Sequence, residues 1–275
     1  MRVIYSDNGV LTDITRKVED YKSGTHTFSY TLNQDYIYIG ADLPLNSLYL
    51  KMGSTVNAIS ATMSIEYWDG KEWIDMVEII DDTIGLSQSG HIIFTPNRNN
   101  VWDKESTNDQ GDIIPALSTL KIYDLYWMRI SFSATLTAST IISWMGPLFS
   151  FDNDLYAEYP VFNSSALKTA FESGKTTWEE QHVKAATVLI KDLIAKNVIR
   201  TGENILKYQD FTLAAVSKCA QIIFTALGDD YVDDATRARD EYKDRLSNSQ
   251  YSVDLDNDGI LDTPEKFAKV GFMSR

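Results

Sequence analysis

A change in residue usage near Pro160 constrains the fold of this chain more than any other feature. Five of the 6 Trp and most of the 15 Tyr precede it, whereas apolar residues at helical spacing occur only after it. Strand-rich sequence followed by helix-rich sequence indicates an α+β protein or two separate domains. We therefore predict an antiparallel β-sandwich over residues 1–160, a helical bundle over 161–250, and an acidic loop with an extended C-terminal tail over 251–275.

Short segments rich in β-branched and aromatic residues predict the strands of the first part. They are residues 25–31, 36–39, 48–52, 62–68, 71–74, 91–95 and 126–133. In 62–68 apolar and polar residues alternate, which is typical of a strand with one buried face. Asp69-Gly70 follows that segment and predicts a hairpin with a type I′ turn, which requires positive φ at both central residues.

Helical spacing predicts the elements of the second part. Residues 164–172 form a short helix, and Thr176 with Glu179 is spaced as a capping box at the start of the next. The segment 211–227 is apolar almost all round, so we expect it to pack between its neighbours. The segment 233–246 is strongly charged, with a narrow apolar seam.

The acidic charge balance limits the partners of this chain. The formal net charge is −14 and the pI about 4.6, so specific binding to nucleic acid or to an anionic membrane is not expected. DNA that merely passes the protein is compatible with this charge. The single Cys219 excludes an intrachain disulfide. The N-terminus has no apolar signal core, so we expect the chain to be made and kept in a cytoplasm. Lys191 and Asp192 interrupt a helix candidate, so we expect no segment that spans a membrane.

The most specific motif is an acidic loop near the C-terminus, D-x-D-x-D-G-x-x-D-x-x-E over 254–265. Alternating carboxylates on a curling chain supply the hard oxygen ligands that Ca²⁺ requires, and Gly259 allows the sharp turn. The predicted ligands are Asp254, Asp256, Asp258, the carbonyl of Ile260, Asp262 and Glu265. The alternative is a solvated acidic turn that caps a helix beginning near Pro264. Calcium is the one cofactor considered, and none is expected to be required.

Catalytic machinery is not evident in the sequence. His26, His91 and His182 are far apart and lack metal-ligand spacing, and Cys219 lies on the most apolar helix candidate. We therefore do not predict an enzyme. The tryptophans before Pro160 allow one binding hypothesis, since aromatic rings on a sandwich face can stack on sugars. Core packing and cross-strand pairs in hairpins explain them better, and we favour that interpretation.

Several segments together resemble head-to-tail connector (neck adaptor) proteins of tailed bacteriophages. They are Asp210-Phe211 before an Ala-rich helix, Gly228-Asp229-Asp230 after it, Ala238-Arg239 to Tyr242–Leu246, the acidic turn 254–259, and the hairpin 65–73 with the strand 126–130. Simple connectors of this kind consist of the helical bundle alone, whereas a predicted sandwich precedes it here.

The resemblance implies a homo-oligomeric ring, commonly dodecameric, beneath the portal protein. Genomic DNA would pass through it without specific binding. The helix that follows Thr176 would contact neighbouring subunits through Trp178, Val183, Ala186, Ile190 and Leu193. The C-terminal tail would bind the portal through Phe267, Val270, Phe272 and Met273.

The sequence thus favours a structural protein of the virion neck, made in the host cytoplasm and joining the portal to downstream neck or tail proteins. The alternative is a calcium-stabilised carbohydrate-binding or adhesin-like β-sandwich module. An enzyme with a site made of scattered residues has the least support.

Overall fold

The computed structural model describes residues 1–105, 114–248, 250–262, 265 and 268–269. The strands within these ranges are β1 Arg2–Asp7, β2 Val10–Asp13, β3 His26–Phe28, β4 Tyr36–Ala41, β5 Ser47–Met52, β6 Met63–Trp68, β7 Trp73–Asp75, β8 Glu78–Asp81, β9 Gly90–Thr95, β10 Lys104–Glu105, β11 Leu125–Phe132, β12 Thr140–Gly146, β13 Gln250–Tyr251 and β14 Ala268–Lys269.

The helices of the described residues lie mostly after the strands. They are α1 Thr15–Glu19, α2 Asp152–Glu158, α3 Ser165–Phe171, α4 Glu179–Ala195, α5 Thr212–Leu227 and α6 Val232–Asn248. Short 3₁₀ turns connect the helices at Pro160–Asn163, Gly202–Asn204, Tyr208–Phe211 and Asp229–Tyr231, and another lies between β10 and β11 at Pro115–Leu117. The predicted α+β class is confirmed.

The chain divides into two compact units. The sheet unit comprises residues 1–146 with 256–260, and the helical unit comprises 147–255 with 261–275. The division precedes the predicted boundary at Pro160 because α2 packs against α5 and therefore belongs with the helices.

Two antiparallel sheets form the sheet unit. The larger has seven strands in the order β2-β1-β4-β11-β6-β7, with β10 also paired to β11. The smaller has five strands in the order β3-β12-β5-β9-β8. Alternate side chains of both sheets enter one hydrophobic cluster, which includes Ile37 and Ile130 from the larger sheet and Leu50 and Phe94 from the smaller. The opposite face of the larger sheet carries a second cluster around Trp127.

Two hairpins show how turn chemistry specifies the sheet. Asn8 (φ +47°) and Gly9 (φ +81°) connect β1 to β2 as a two-residue turn with both φ positive. The predicted hairpin at Asp69-Gly70 is present, but the predicted type I′ turn is wrong. Trp68 pairs with Trp73, so the loop has four residues, and only Gly70 within it has positive φ. The Asp69 carboxylate caps this loop by accepting the N–H groups of residues 71 and 72 at 2.9 Å.

Helix α5 is the centre of the helical unit, as its apolar sequence predicts. It packs against α2, α3, α4 and α6. Near its start Ala214 and Ala215 enter one hydrophobic cluster, and further along Cys219 and Ile223 enter another. Tyr242 of α6 donates a hydrogen bond to Asp192 of α4 at 2.7 Å, which ties the two outer helices together.

The predicted start of α4 was wrong. The helix begins at Glu179, and Thr176 does not cap it. The indole N–H of Trp178 instead donates to the Phe162 carbonyl at 2.9 Å, and its backbone N–H donates to Asp152 at 3.0 Å. A tertiary contact with α2 therefore sets the helix start in place of the local capping box.

Residues Tyr208–Leu227 are long and apolar enough to cross a membrane by length and composition, contrary to the expectation that no segment is. Half of the most apolar window is buried within the protein. A core helix meets the same criteria, so this segment gives only weak support for a membrane span.

Candidate functional site

The acidic loop makes a left-handed turn at the position that the motif predicts. Asn257 (φ +68°) and Gly259 (φ +76°) have positive φ, which glycine and asparagine adopt at the least cost. Asp258 Oδ1 accepts the backbone N–H of Ile260 at 2.7 Å. The turn folds the two ends of the loop towards each other.

Three of the predicted ligands converge. One carboxylate oxygen each from Asp254, Asp256 and Glu265 lies within 4.8 Å of the others. Asp254 and Glu265 are each 3% exposed, whereas Asp256 is exposed. Asp258 and Asp262 are not part of this group. Three carboxylates in one loop form an arrangement that a hard divalent cation would neutralise, and oxygen ligands are those that Ca²⁺ prefers.

The Glu265 carboxylate also closes the loop by hydrogen bonds. Its Oε1 accepts the N–H of Leu255 at 2.7 Å, and its Oε2 accepts the N–H of Asp262 at 2.9 Å. Each carboxylate oxygen has two lone pairs, so these bonds leave it able to face a cation. Glu265 thus fits both hypotheses for the loop, the metal site and the hydrogen-bonded acidic turn.

A buried asparagine fixes the start of the loop. Asn204 is 2% exposed and exchanges two hydrogen bonds with Asp254, one in each direction. Its Oδ1 accepts the N–H groups of Arg200 at 3.0 Å and Thr201 at 3.1 Å. The Asp254 end of the loop is therefore attached to the 3₁₀ turn at Gly202–Asn204 within the helical unit.

The helical unit also contains a buried polar cluster that the sequence did not suggest. Ser150 Oγ lies 2.7 Å from His182 Nδ1, and His182 Nε2 lies 3.4 Å from Asp152 Oδ1. These are the residue types of a serine-hydrolase triad. Ser150 and His182 are each 1% exposed, so a substrate cannot reach the hydroxyl in this conformation.

Asp152 is the centre of this cluster and links α2 to α4. Burial raises its pKa, but the adjacent His182 ring and hydrogen bonds from the Tyr156 hydroxyl and the Trp178 N–H outweigh that effect and hold the pKa below its usual value. The ionised carboxylate therefore stabilises the packing of the two helices. No sequence signal identifies this cluster, because tertiary packing brings His182 to Ser150 and Asp152.

The predicted ring-contact residues lie mainly inside the helical unit. Trp178, Ala186 and Leu193 are at most 1% exposed, and Val183 and Ile190 are half-buried. The first three side chains are covered by residues of the same unit, which corrects the expectation that they face a neighbour. The predicted portal-binding residues, Phe267, Val270, Phe272 and Met273, lie outside the described residues.

The tryptophans of the sheet unit do not form an exposed platform. Trp68, Trp102, Trp127 and Trp144 are at most 6% exposed. Trp73 is half-buried, and its ring centre lies 4.7 Å from Cζ of Arg129. Their rings pack in the unit itself, which removes the observation that favoured stacking on sugars.

No protein-family model matches this chain, and no curated protein matches it significantly.

Proposed function

We propose that this chain is a structural assembly protein of a bacteriophage virion. In this proposal its copies form a head-to-tail adaptor ring that joins the portal to the neck or tail and surrounds part of the DNA channel. The observation that carries the proposal is the central position of α5 between α4 and α6, in the segment that resembles phage connectors.

The residues that carry the resemblance have defined roles in this helical core. Phe211 precedes α5 and stacks on Tyr251 with 4.2 Å between ring centroids. Gly228 follows α5 with φ +93°, a conformation that ends the helix. Ala238 and Tyr242 of α6 are buried, at 0% and 3% exposure. These positions therefore maintain the three-helix packing on which a connector role would depend.

The finer architecture is part of the same proposal. The two sheets share one hydrophobic cluster, which supports a β-sandwich. The helices α2 to α6 would be the bundle, and the segment from Phe267 to Arg275 would be the tail that reaches the portal. The sandwich would extend the ring towards later neck or tail components.

The set of α4 residues that would contact a neighbouring subunit has to be revised in this proposal. Since Trp178, Ala186 and Leu193 are buried, the outer side of α4 is the part left for a neighbouring subunit. It carries the half-buried Val183 and Ile190, and Ile194 at 39% exposure. The net charge of −14 fits a channel wall that DNA passes without specific binding.

Calcium would act as a structural brace in this proposal, and the protein would not be an enzyme. An ion held by Asp254, Asp256 and Glu265 would join the two ends of the acidic loop. It would stiffen the start of the C-terminal tail without taking part in a reaction.

The test is a binding experiment with the portal protein of the same virion. Size-exclusion chromatography with light scattering measures whether the full chain forms a ring, and a pull-down measures its retention by the portal. We expect an oligomer that binds the portal. A strict monomer that ignores the portal and is retained on polysaccharide would support the carbohydrate-binding alternative instead.

A further inference from the structure

Four loops of the sheet unit contain no charged residue, although the chain is strongly acidic, and the exposed Asp82 lies just outside them. We name them the uncharged loop cluster: residues 29–34, 53–62, 83–89 and 133–139. None of these residues is Asp, Glu, Lys, Arg or His, whereas 23% of the chain is charged and the formal net charge is −14.

Hydrogen bonds join the four loops into one surface. Leu32 N–H donates to Thr135 Oγ1 at 3.1 Å, which connects the first loop to the fourth. Thr62 N–H donates to Ser133 Oγ at 2.8 Å, which connects the second to the fourth. The third loop joins through the side chain of Asn57.

The buried side chain of Asn57 connects three of the loops by hydrogen bonds. It is 1% exposed, and its Nδ2 donates to the carbonyls of Ile59 at 2.7 Å and Gly85 at 2.8 Å. Its Oδ1 accepts the N–H of Thr137 at 2.9 Å. Because one nitrogen bonds two carbonyls from different loops, those loops lie side by side in a fixed arrangement.

Large apolar side chains project from this surface. Val56 is 37% exposed, Ile59 is 44% exposed and Ile84 is 64% exposed. A single exposed aliphatic residue is ordinary on a protein surface, but several on a surface without charge favour an interaction site.

Ile84 is held in a conformation that its side chain disfavours. Its φ is +50°, which is a genuine outlier for a β-branched residue. Both Asp81 carboxylate oxygens fix the loop, by accepting the N–H groups of Thr83 and Gly85 at 2.8 Å each. The turn buries Leu86 completely, but glycine or asparagine at position 84 would make the same turn at lower cost. The strained backbone at position 84 is therefore tolerated for the sake of the isoleucine side chain, which glycine or asparagine would not provide.

The absence of charge indicates the partner. A surface that binds a basic partner is acidic, and a surface that binds an acidic partner is basic. Two copies of a chain with net charge −14 repel each other, so they approach most easily where neither presents a charge. A second copy is therefore the partner that this surface fits best.

We infer that the uncharged loop cluster is a contact surface for a second copy of this chain, with Ile59 and Ile84 as its apolar anchors. The inferred surface extends the proposed assembly role. It depends on that role only in assuming that copies of the chain come into contact.

Sedimentation equilibrium of the full chain tests the inference with two variants and a matched control. Ile84→Asn introduces a residue that tolerates positive φ, so it should raise the thermal midpoint. Because it also removes an apolar anchor, it should weaken self-association by about tenfold or more. Ile59→Asp should weaken self-association as well. The control Val77→Asn changes an apolar residue of 67% exposure outside the cluster and should leave self-association unchanged.

Salt provides the second readout. Raising NaCl from about 50 mM to about 500 mM screens the repulsion between acidic chains, so it should strengthen contact through an uncharged surface. Self-association that weakens with salt, or that neither cluster variant alters, would overturn the inferred surface while leaving the assembly role intact. A chain that stays monomeric at every concentration and at both salt levels would contradict the surface and the assembly role together.

Discussion

Asn204 and Asp254 exchange hydrogen bonds in both directions: the Asn204 amide donates to the Asp254 carbonyl at 3.0 Å, and the Asp254 N–H donates to the Asn204 carbonyl at 2.7 Å. The pair lies 50 positions apart in the sequence. It attaches the start of the acidic loop to the helical unit, so the loop begins from a fixed position whether or not it holds an ion.

Removing this attachment should destabilise the helical unit. Asn204→Ala leaves the Asp254 carbonyl and the Arg200 and Thr201 N–H groups without their bonds to the asparagine side chain, at a cost of about 3 kcal/mol in the free energy of unfolding. Urea unfolding measures the change. Asn163→Ala, at an exposed position, is the control and should be nearly neutral. Equal effects of the two substitutions would contradict the proposed role of Asn204.

Calcium binding should depend on the converging carboxylates. Calorimetric titration of the full chain with Ca²⁺ should give heat of binding that Asp256→Ala abolishes, because Asp256 is one of the three convergent ligands. Asp42→Ala, at another exposed acidic position, should bind as the wild type does. Negligible heat for all three proteins would leave only the acidic-turn interpretation.

The Asp152 cluster should stabilise the fold except in acid. The folded-state pKa of Asp152 lies below its usual value. Its stabilisation is therefore complete above the unfolded pKa of about 3.9 and disappears as the pH falls through the folded pKa. Asp152→Asn should lower the free energy of unfolding at pH 7, and the difference from wild type should shrink at the acidic end of a titration. A difference that stays constant down to pH about 2 would contradict this account.

A half-buried histidine should add a second acid sensitivity. Burial lowers the pKa of His26 to about 4, and its ring packs against Phe28 with 4.6 Å between centroids. Between pH about 6.5 and about 4 the unfolded chain takes up a proton that the folded chain resists, so stability falls as the pH falls through this window. His26→Gln should reduce that slope in urea unfolding measured at several pH values. An unchanged slope would show that His26 titrates normally in the fold.

Cys219 should be unreactive in the folded protein. It is fully buried in α5, and burial raises the pKa of its thiol well above the usual value. A thiol-specific reagent at pH about 8 should label the chain only after denaturation, since the thiolate is the reactive form. Rapid labelling of the native protein would contradict the packing of α5.

Local patterns predicted the elements that depend on local chemistry. The apolar composition of 211–227 correctly indicated a central helix, since a segment without a polar face must be buried. Asn8-Gly9 carries an equally clear hairpin signal, but the strands β1 and β2 on either side of it were not among those predicted. In the acidic loop, spacing identified the three convergent carboxylates together with two that do not converge.

Features set by tertiary contacts were not predictable in this way. The Thr176–Glu179 spacing is a valid capping pattern, but Asp152 binds the Trp178 N–H and moves the start of α4 to Glu179. The contact of His182 with Ser150 likewise depends on how α4 packs, which no local pattern encodes.

The most direct test of the assembly role is electron microscopy of the full chain mixed with purified portal protein. Class averages should show added ring-shaped density at one end of the portal, with copies of this chain around the channel axis. Portal particles that look the same with and without the chain, at concentrations where the chain is folded, would contradict the central claim.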